Sequence, residues 1–367
     1  MATRTVLVAG ASGLVGFAAA RHFARRAGWR VVAVSRRLPE GLDGVELISV
    51  DLTDRAASAA AFERLGHVTH VVYAALYEKP GLFAGWRERD QMETNLRMLE
   101  NLFEPLRGAA AGLEHVTLLQ GTKAYGAHLG PIAIPARERA PRHRHENFYW
   151  LQEDHLRARQ AGQRWHWTIL RPQVIFGESL GSHMNLIPAL GVYAALLREE
   201  GRPLSFPGGP PWVREAVDAD LLARACEWAA TTPACANETF NINNGDVFDW
   251  RHVWPAIAET LGMEVGPEQP MSLATELPPR EPEWRAIVRK YALRSPERLA
   301  DFVGQGLVYA DGQLAYGAKR PPPTTLVSTI KARQAGFHDC MDTEDMFRKW
   351  FRRFQDLRWL PPADARV

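Results

Sequence analysis

Apolar residues fall in short blocks along the first half of the chain, and the blocks alternate with longer stretches of helical period. The first block, Thr5-Val6-Leu7-Val8-Ala9, is a strand pattern. It runs into Gly10-Ala11-Ser12-Gly13-Leu14-Val15-Gly16 and then into Phe17, Ala18, Ala19 and Ala20, which open a helix. Further strand patterns lie at 30–34, 45–50, 69–73, 115–119 and 167–170. Helical patterns lie between them at 55–64, 86–103 and from Asn147 onward. Strands alternating with helices pack as a parallel sheet covered on both faces, because the crossovers are right-handed. The expected fold class is α/β, a Rossmann-type doubly wound parallel sheet. Its ligands bind beyond the strand C-termini, where strand order reverses.

Past Gly177 the pattern loosens. Helical patterns occupy 186–200, 215–230 and 249–261, Phe240-Asn241-Ile242 is a short strand pattern, and 203–211 and 267–282 are proline-broken loop. The 342–357 tail carries Met346, Phe347, Trp350, Phe351 and Phe354 at helical spacing, a stripe suited to a core or subunit interface rather than to a ligand box. The expected division is a nucleotide-binding domain over 1–178, to which 212–248 returns, and a smaller, mostly helical C-terminal substrate-binding cap from 179–211 and 249–367.

The three glycines are spaced G-x-x-G-x-x-G between a strand and a helix, a context that marks a dinucleotide site. Gly10 permits the sharp turn, Gly13 lets backbone approach a pyrophosphate, and Gly16 lets helix and strand pack closely. Ser12, Leu14 and Val15 complete the loop and a helix N-terminus whose unpaired N–H groups attract phosphate. The second strand closes on Ser35-Arg36-Arg37. A site for NAD places a carboxylate here, on the adenosine ribose; two arginines instead pair with a 2′-phosphate, so NADPH is the expected cofactor. The third strand closes on Asp51-Leu52-Thr53-Asp54, where Asp51 either meets the adenine amino group, with Leu52 beside it, or caps the next helix. Ala74 and Ala75 leave space for the cofactor at the fourth strand end, and Gln120-Gly121 follow the fifth strand at the same edge.

Composition changes this picture little. Hydrophobic residues make up 46% of the 367 and charged residues 23%, enough for a sizeable core. A net charge of +2 makes no case for nucleic acid or for an anionic membrane as partner. Cys226, Cys235 and Cys340 are far apart and expected as reduced thiols. His143 and His145, in the basic run 137–145, lack further ligands at a metal spacing, so no metal is expected. The strand at Thr5 leaves no room for a signal peptide, and the longest apolar stretch, 184–197, is too short to span a bilayer. A cytoplasmic protein is expected.

A sheet of this kind in a chain this long suggests an extended short-chain dehydrogenase/reductase. Such enzymes carry Tyr-x-x-x-Lys on the helix after the fifth strand, which sets an ammonium beside a phenol at i, i+4. No tyrosine here is followed by lysine at that spacing. At the expected place stands Tyr149-Trp150-Leu151-Gln152-Glu153, and a glutamate raises a neighbouring phenol's pKa instead of lowering it. Lys123, just past the fifth strand, is the alternative cation. It shares the sheet edge with the start of the Tyr149 helix and is expected to reach the Tyr149 hydroxyl across space.

Gly-Thr-Lys-Ala-Tyr-Gly (121–126), Asn-Phe-Tyr-Trp-Leu-Gln-Glu-Asp (147–154), Arg-Pro-Gln-Val-Ile-Phe-Gly (171–177) and Asn-Gly-Asp-Val-Phe-Asp-Trp (244–250) are similar to progesterone 5β-reductase/iridoid synthase-like enzymes, which are atypical extended short-chain dehydrogenases/reductases. The likeness covers nearly the whole chain, and the Asn-Phe-Tyr…Glu-Asp block is its most specific part. The resemblance implies an NADPH-dependent 1,4-reductase of enones or enals, with the family's lysine and tyrosine at Lys123 and Tyr149. Hydride adds to the β-carbon, Tyr149 donates a hydrogen bond to the enolate oxygen, and Lys123 supports the charge or the phenol. Resemblance and position together put Pro172, Val174, Ile175, Ser182 and Met184 on the nicotinamide side. Two departures stand out. Trp150 replaces a tyrosine frequent in plant members, and Ala75-Leu76-Tyr77 replaces Trp-Ala-Asn near the cofactor edge, which bears on substrate choice.

Two other functions stay open. One is an NAD(P)-dependent nucleotide-sugar epimerase or dehydratase, against which the absent Tyr-x-x-x-Lys and the Arg36-Arg37 pair both count. The other is a non-catalytic protein that senses the NADP redox state. The expected partner is a small enone or enal; a homodimer, common in the extended group, is left open.

Overall fold

The computed structural model describes residues 4–364. Strands and helices alternate through the first half: β1 (Arg4–Ala9), α1 (Leu14–Ala24), β2 (Trp29–Ser35), β3 (Glu46–Ser49), α2 (Arg55–Phe62), β4 (His70–Tyr73), α3 (Arg89–Ala109), β5 (His115–Leu119), α4 (Phe148–Gln160) and β6 (His166–Pro172). There follow β7 (Val174–Phe176), α5 (Leu186–Glu199), β8 (Ala216–Asp218), α6 (Ala219–Thr231), β9 (Glu238–Ile242) and α7 (Trp250–Thr260). The remainder is helical: α8 (Leu273–Glu276), α9 (Glu281–Lys290), α10 (Leu299–Val303), α11 (Gly306–Gln313), α12 (Ile330–Gln334) and α13 (Thr343–Asp356). Among the described residues no helix is long and apolar enough to cross a membrane. The chain forms two compact units. The first runs up to Gln173 and adds Ala219–Asn243 and Val327–Asp339; the second comprises Val174–Asp218, Asn244–Leu326 and the chain from Cys340 on.

The first unit is built on a seven-stranded parallel sheet of order β3-β2-β1-β4-β5-β6-β9. Both faces of such a sheet are buried at its centre, so residues 6–9 of β1 and 31–34 of β2 are unbroken apolar runs, while the edge strand β3 keeps Glu46 and Ser49 exposed. Alternate residues divide between the faces. Leu7, Ala9, Val32, Val34, Val71, Tyr73, Val116, Leu118, Trp167 and Ile169 pack on Phe62 of α2, Leu99, Leu102, Phe103 and Leu106 of α3, and Leu156 of α4. Val6, Val8, Val31, Ala33 and Val72 are equally buried and face the other way, toward α1 and α6. Those two helices are tied at their surface by Arg21 to Asp220, 2.7 Å, and by His22 and Arg26 to Glu227. Strand order reverses between β1 and β4, and the loop after β1 opens at that point.

The element expected at 86–103 begins later and ends later. Gly85–Arg87 is a separate 3-10 turn, and α3 continues through Pro105 to Ala109.

In the second unit, β7 and β8 form their own parallel pair, Val174 to Ala216 and Phe176 to Asp218. Residues 215–218 therefore do not begin the helix expected at 215–230. That helix is α6, which starts at Ala219. The loop expected at 267–282 also contains α8, a 3-10 turn at Pro278–Arg280 and the start of α9. Pro278, Pro279 and Pro282 stand at the first positions of helical turns, where the missing N–H costs nothing. Asp342 caps α13 by accepting from the Glu344 and Asp345 N–H groups. The helix turns Met346, Phe347, Trp350, Phe351 and Phe354 into the unit's core, where Phe347 packs on Phe176, Phe248 and Trp250.

Candidate active site

The loop from β1 to α1 is determined by contacts that admit no side chain. Gly10 has φ +82°, and a Cβ on it would lie 2.7 Å from the Ala74 carbonyl oxygen at the end of β4. A Cβ on Gly16 would lie 2.2 Å from the Gly10 oxygen, and one on Gly13 3.2 Å from the same atom. The Gly10 and Ala11 N–H groups are both held by the Val34 carbonyl, at 2.8 and 3.0 Å. Gly13 is the N-cap of α1 and provides no side-chain cap. The first turn of α1, with Leu14 and Val15 on it and Ser12 just ahead, thus keeps N–H groups and the positive dipole end for an anion. A glycine cradle at the reversal of strand order, ending in an uncapped helix, fits a dinucleotide pyrophosphate.

At the end of β2, Ser35 is buried and its hydroxyl donates to the Arg37 carbonyl. Ser49 donates to the Arg36 carbonyl at 3.0 Å. These bonds pin the backbone of a turn whose two guanidinium groups are exposed. Asp51 accepts from the N–H and hydroxyl of Thr53, and those bonds, with Arg36 near, hold its carboxyl below the usual range although burial opposes them. The helix cap is Asp54, which accepts from Ala57 N–H at 3.0 Å. Of the two alternatives for Asp51, capping is therefore taken by Asp54. Leu52 is buried, and its carbonyl accepts from Asn101 of α3.

Lys123 lies in a 3-10 turn, Thr122–Tyr125, that follows β5 after Gln120 and Gly121. Asn147 joins that turn to the helix behind it. Its Oδ1 accepts from Tyr149 N–H at 3.0 Å, capping α4, and its Nδ2 donates to the Lys123 carbonyl at 3.4 Å. Ala124, Phe148, Tyr149 and Trp150 share one buried cluster with Met92. The Lys123 ammonium lies 3.9 Å from the centroid of the Trp86 ring, 5.6 Å from that of Phe148 and 5.7 Å from that of Tyr149. Its carboxylate neighbour is Glu78, at 3.8 Å. Burial pulls the lysine down to about 8, and Glu78 pulls the other way. Tyr149 Oη rests over the backbone of Gly121, 3.3 Å from where a Cβ would stand.

Glu153, which takes the usual lysine position, is engaged from three sides. Arg157 Nε donates to it at 2.9 Å and Gln120 Nε2 at 2.8 Å, while Arg171 of β6 lies at 3.9 Å. Arg171 also donates to Gln120 Oε1 at 2.9 Å. The Gln120 side chain is thus buried and engaged in fastening β5, β6 and α4 together. The Glu153 carboxylate is thus committed to Arg157, Gln120 and Arg171.

The first unit thus holds Gly10 to Gly16, Ser35 to Arg37, Asp51, Leu52, Ala74, Ala75, Gln120, Gly121, Lys123, Tyr149 and Pro172 on the sheet strands, the loops that follow them and the helices those loops open. Val174, Ile175, Ser182 and Met184 belong to the second unit and are half-buried there, the first two on β7. Glu78 and Trp86 are absent from the sequence expectations. Among the described residues no group of three or more histidine, cysteine or acidic side chains could hold a metal ion.

A family model described as NAD dependent epimerase/dehydratase family matches residues 6–243. The (S)-8-oxocitronellyl enol synthase of Antirrhinum majus is 31% identical over 97% of this chain and 92% of its own length. The 3-oxo-Delta(4,5)-steroid 5-beta-reductase of Arabidopsis thaliana is 32% identical over 91% of this chain and 86% of its own. The chain belongs to the progesterone 5β-reductase/iridoid synthase-like branch of the NAD dependent epimerase/dehydratase family. Membership makes the chain an oxidoreductase of short-chain dehydrogenase/reductase type. Solved structures share its fold. The UDP-glucose 4-epimerase of Bifidobacterium longum, in complex with NAD+ and UDP, aligns with TM-score 0.66 at 16% identity over 96% of this chain and 98% of that one. That of Thermus thermophilus, with NAD, aligns with TM-score 0.64 at 19% identity over 96% and 99%.

Proposed function

We propose that this protein reduces the carbon–carbon double bond of α,β-unsaturated ketones or aldehydes with NADPH. The observation that carries the proposal is the Lys123 ammonium, largely buried 5.7 Å from the centroid of the Tyr149 ring, with Glu153 paired to Arg157 and Arg171. The names of two relatives, an enol synthase and a steroid 5-beta-reductase, point the same way. When bound, NADPH supplies the hydride that the β-carbon accepts.

The residues that would hold the cofactor are the Gly10–Gly16 loop for the pyrophosphate and Arg36, with Arg37, for the 2′-phosphate. No carboxylate stands at the end of β2 to repel that phosphate. As the β-carbon becomes bonded to hydrogen, negative charge moves to the carbonyl oxygen. Tyr149 donates its hydroxyl to that oxygen and so stabilises the enolate. Lys123 places a positive charge beside the phenol in a site that water screens poorly, which strengthens the donor. A solvent proton then completes the α-carbon, and the product is the saturated carbonyl compound.

One oriented donor at a developing oxyanion is worth about 3 kcal/mol, so Tyr149→Phe is expected to lower turnover by about a hundredfold or more. The test follows NADPH and NADH consumption with a panel of enones, enals and a steroid enone. NADPH-preferring turnover that collapses in Tyr149→Phe supports the proposal. Loss of less than tenfold removes Tyr149 from this role. Tight NADPH binding without consumption across the panel points to the redox sensor instead.

A further inference from the structure

A buried carboxylate that the proposed reduction does not use lies beside Lys123. Glu78 sits in the loop after β4 with a side chain 1% exposed, against 12% for that of Lys123. A carboxylate withdrawn this far from water is tolerated only where its oxygens find donors. Here Trp86 Nε1 donates to Oε2 at 3.0 Å and Gln91 Nε2 donates to the same oxygen at 2.7 Å, while Oε1 faces the Lys123 ammonium at 3.8 Å. Trp86 therefore acts twice. Its N–H holds the carboxylate, and its ring face carries the ammonium at 3.9 Å. Gln91 is itself fixed, because its Oε1 accepts from Lys79 N–H at 2.9 Å. Even Gly85 is committed to the arrangement, since a Cβ there would lie 2.2 Å from Gln91 Oε1.

We propose that Glu78 is a positioning residue for Lys123: its carboxylate, fixed by Trp86 and Gln91, pins the ammonium over the indole ring and keeps it charged beside Tyr149. The inference rests on the part assigned to Lys123 in the reduction above. The charged and titratable groups around the lysine come from each element packed on it. The loop after β4 gives Glu78 and Lys79, the latter already paired with Glu88 and Asp90. The turn at Trp86 gives Arg87, α4 gives Tyr149, and the loop before α4 gives His128 and His145. Burial disfavours the ammonium and Glu78 is the charge that opposes it, while His128, itself lowered to about 4 by burial and the cations beside it, is neutral near pH 7 and gives no support.

The chain has only six lysines, Lys79, Lys123, Lys290, Lys319, Lys331 and Lys349, so lysine labelled with 13C at Cε gives few NMR signals in the full-length protein. Lys123→Arg assigns the Lys123 signal. The expected titration midpoint is about 8 in the wild type. In Glu78→Gln it falls by on the order of one pH unit, and Glu78→Asp, which keeps the charge, returns it toward the wild-type value. The alkaline limb of kcat moves with the midpoint, while KM for NADPH stays put. An unchanged Lys123 midpoint in folded Glu78→Gln overturns the proposal whatever the protein reduces. A shifted midpoint in a protein that reduces no enone sinks the reaction and leaves the pairing of Glu78 with Lys123 standing. If Glu78→Gln does not fold, Trp86→Phe removes the N–H that holds the carboxylate and keeps a ring under the ammonium. An unchanged midpoint there overturns the proposal equally.

Discussion

The hydroxyl of Tyr149 lies against the backbone of Gly121, so close that a Cβ at residue 121 would stand 3.3 Å from Oη and 3.5 Å from the Pro172 carbonyl oxygen. Gly121 has φ −174°, extended backbone that any residue adopts, so the constraint is space and not strain. Gly121→Ala is therefore expected to leave the melting temperature nearly unchanged and push the hydroxyl aside by a few tenths of an ångström. A donor displaced from a developing oxyanion costs rate, here on the order of tenfold or more. Thermal melts and kcat measured on the same preparation check this. A variant with wild-type kcat contradicts the contact's role.

Lys123 gives the reaction a pH signature. It releases its proton at about 8 in the folded chain, whereas an unfolded lysine holds it to about 10.4. Turnover that needs the ammonium falls as pH rises through about 8. The sign for stability is the reverse. Between those two values the unfolded chain binds more protons, so the Lys123 contribution to stability rises with pH across that window. Declining kcat without declining melting temperature above pH 8 is the expected combination, and Lys123→Met removes both dependences. A kcat that stays flat to pH 10 contradicts the assignment.

The Arg36-Arg37 turn predicts a cofactor effect. A charge-assisted bond to a phosphate is worth about 1.5–3 kcal/mol, or roughly tenfold to a hundredfold in affinity. Arg36→Ala is expected to weaken NADPH binding on that scale while NADH binding stays as it was. Titrations with both nucleotides decide the matter, and an equal loss for the two removes the guanidinium from the 2′-phosphate.

The glycines of the first loop are not equivalent. A Cβ at Gly16 meets backbone at 2.2 Å, which no side-chain movement relieves, while one at Gly13 meets the same atom at 3.2 Å. Gly16→Ala is expected to cost about 2 kcal/mol or more of stability. Gly13→Ala is expected to keep the fold and lose nucleotide affinity. Denaturation curves and NADPH titrations of the two variants separate these effects.

The sheet was legible in the sequence because parallel strands buried on both faces read as near-continuous apolar runs, as 6–9 and 31–34 do. Lys123 and Tyr149 could be placed near one another in advance because the end of a fifth strand and the start of the next helix meet at one edge of such a sheet, and the ammonium lies 5.7 Å from the centroid of the Tyr149 ring. Glu78 and Trp86 could not. Residues 74–88 carry no period, and Glu78-Lys79-Pro80 has the polarity of a solvated loop. The loop is buried by α3, where Asn95 binds both the N–H and the carbonyl of Tyr77 and Gln91 binds Glu78. Two amides four residues apart on the buried face of an amphipathic helix were the available signal. The strand at 216–218 was hidden for another reason. Three residues carry too little pattern, and their partner β7 is distant in sequence.

The central claim is that hydride reaches the β-carbon of a conjugated carbonyl compound. The most direct test supplies NADPH carrying deuterium at the transferred position together with an accepted enone, and locates the label in the product by NMR. The account predicts a saturated ketone or aldehyde with deuterium at the β-carbon, formed by the wild type and at about a hundredth of that rate or less by Tyr149→Phe. Deuterium on the carbinol carbon of an allylic alcohol contradicts it.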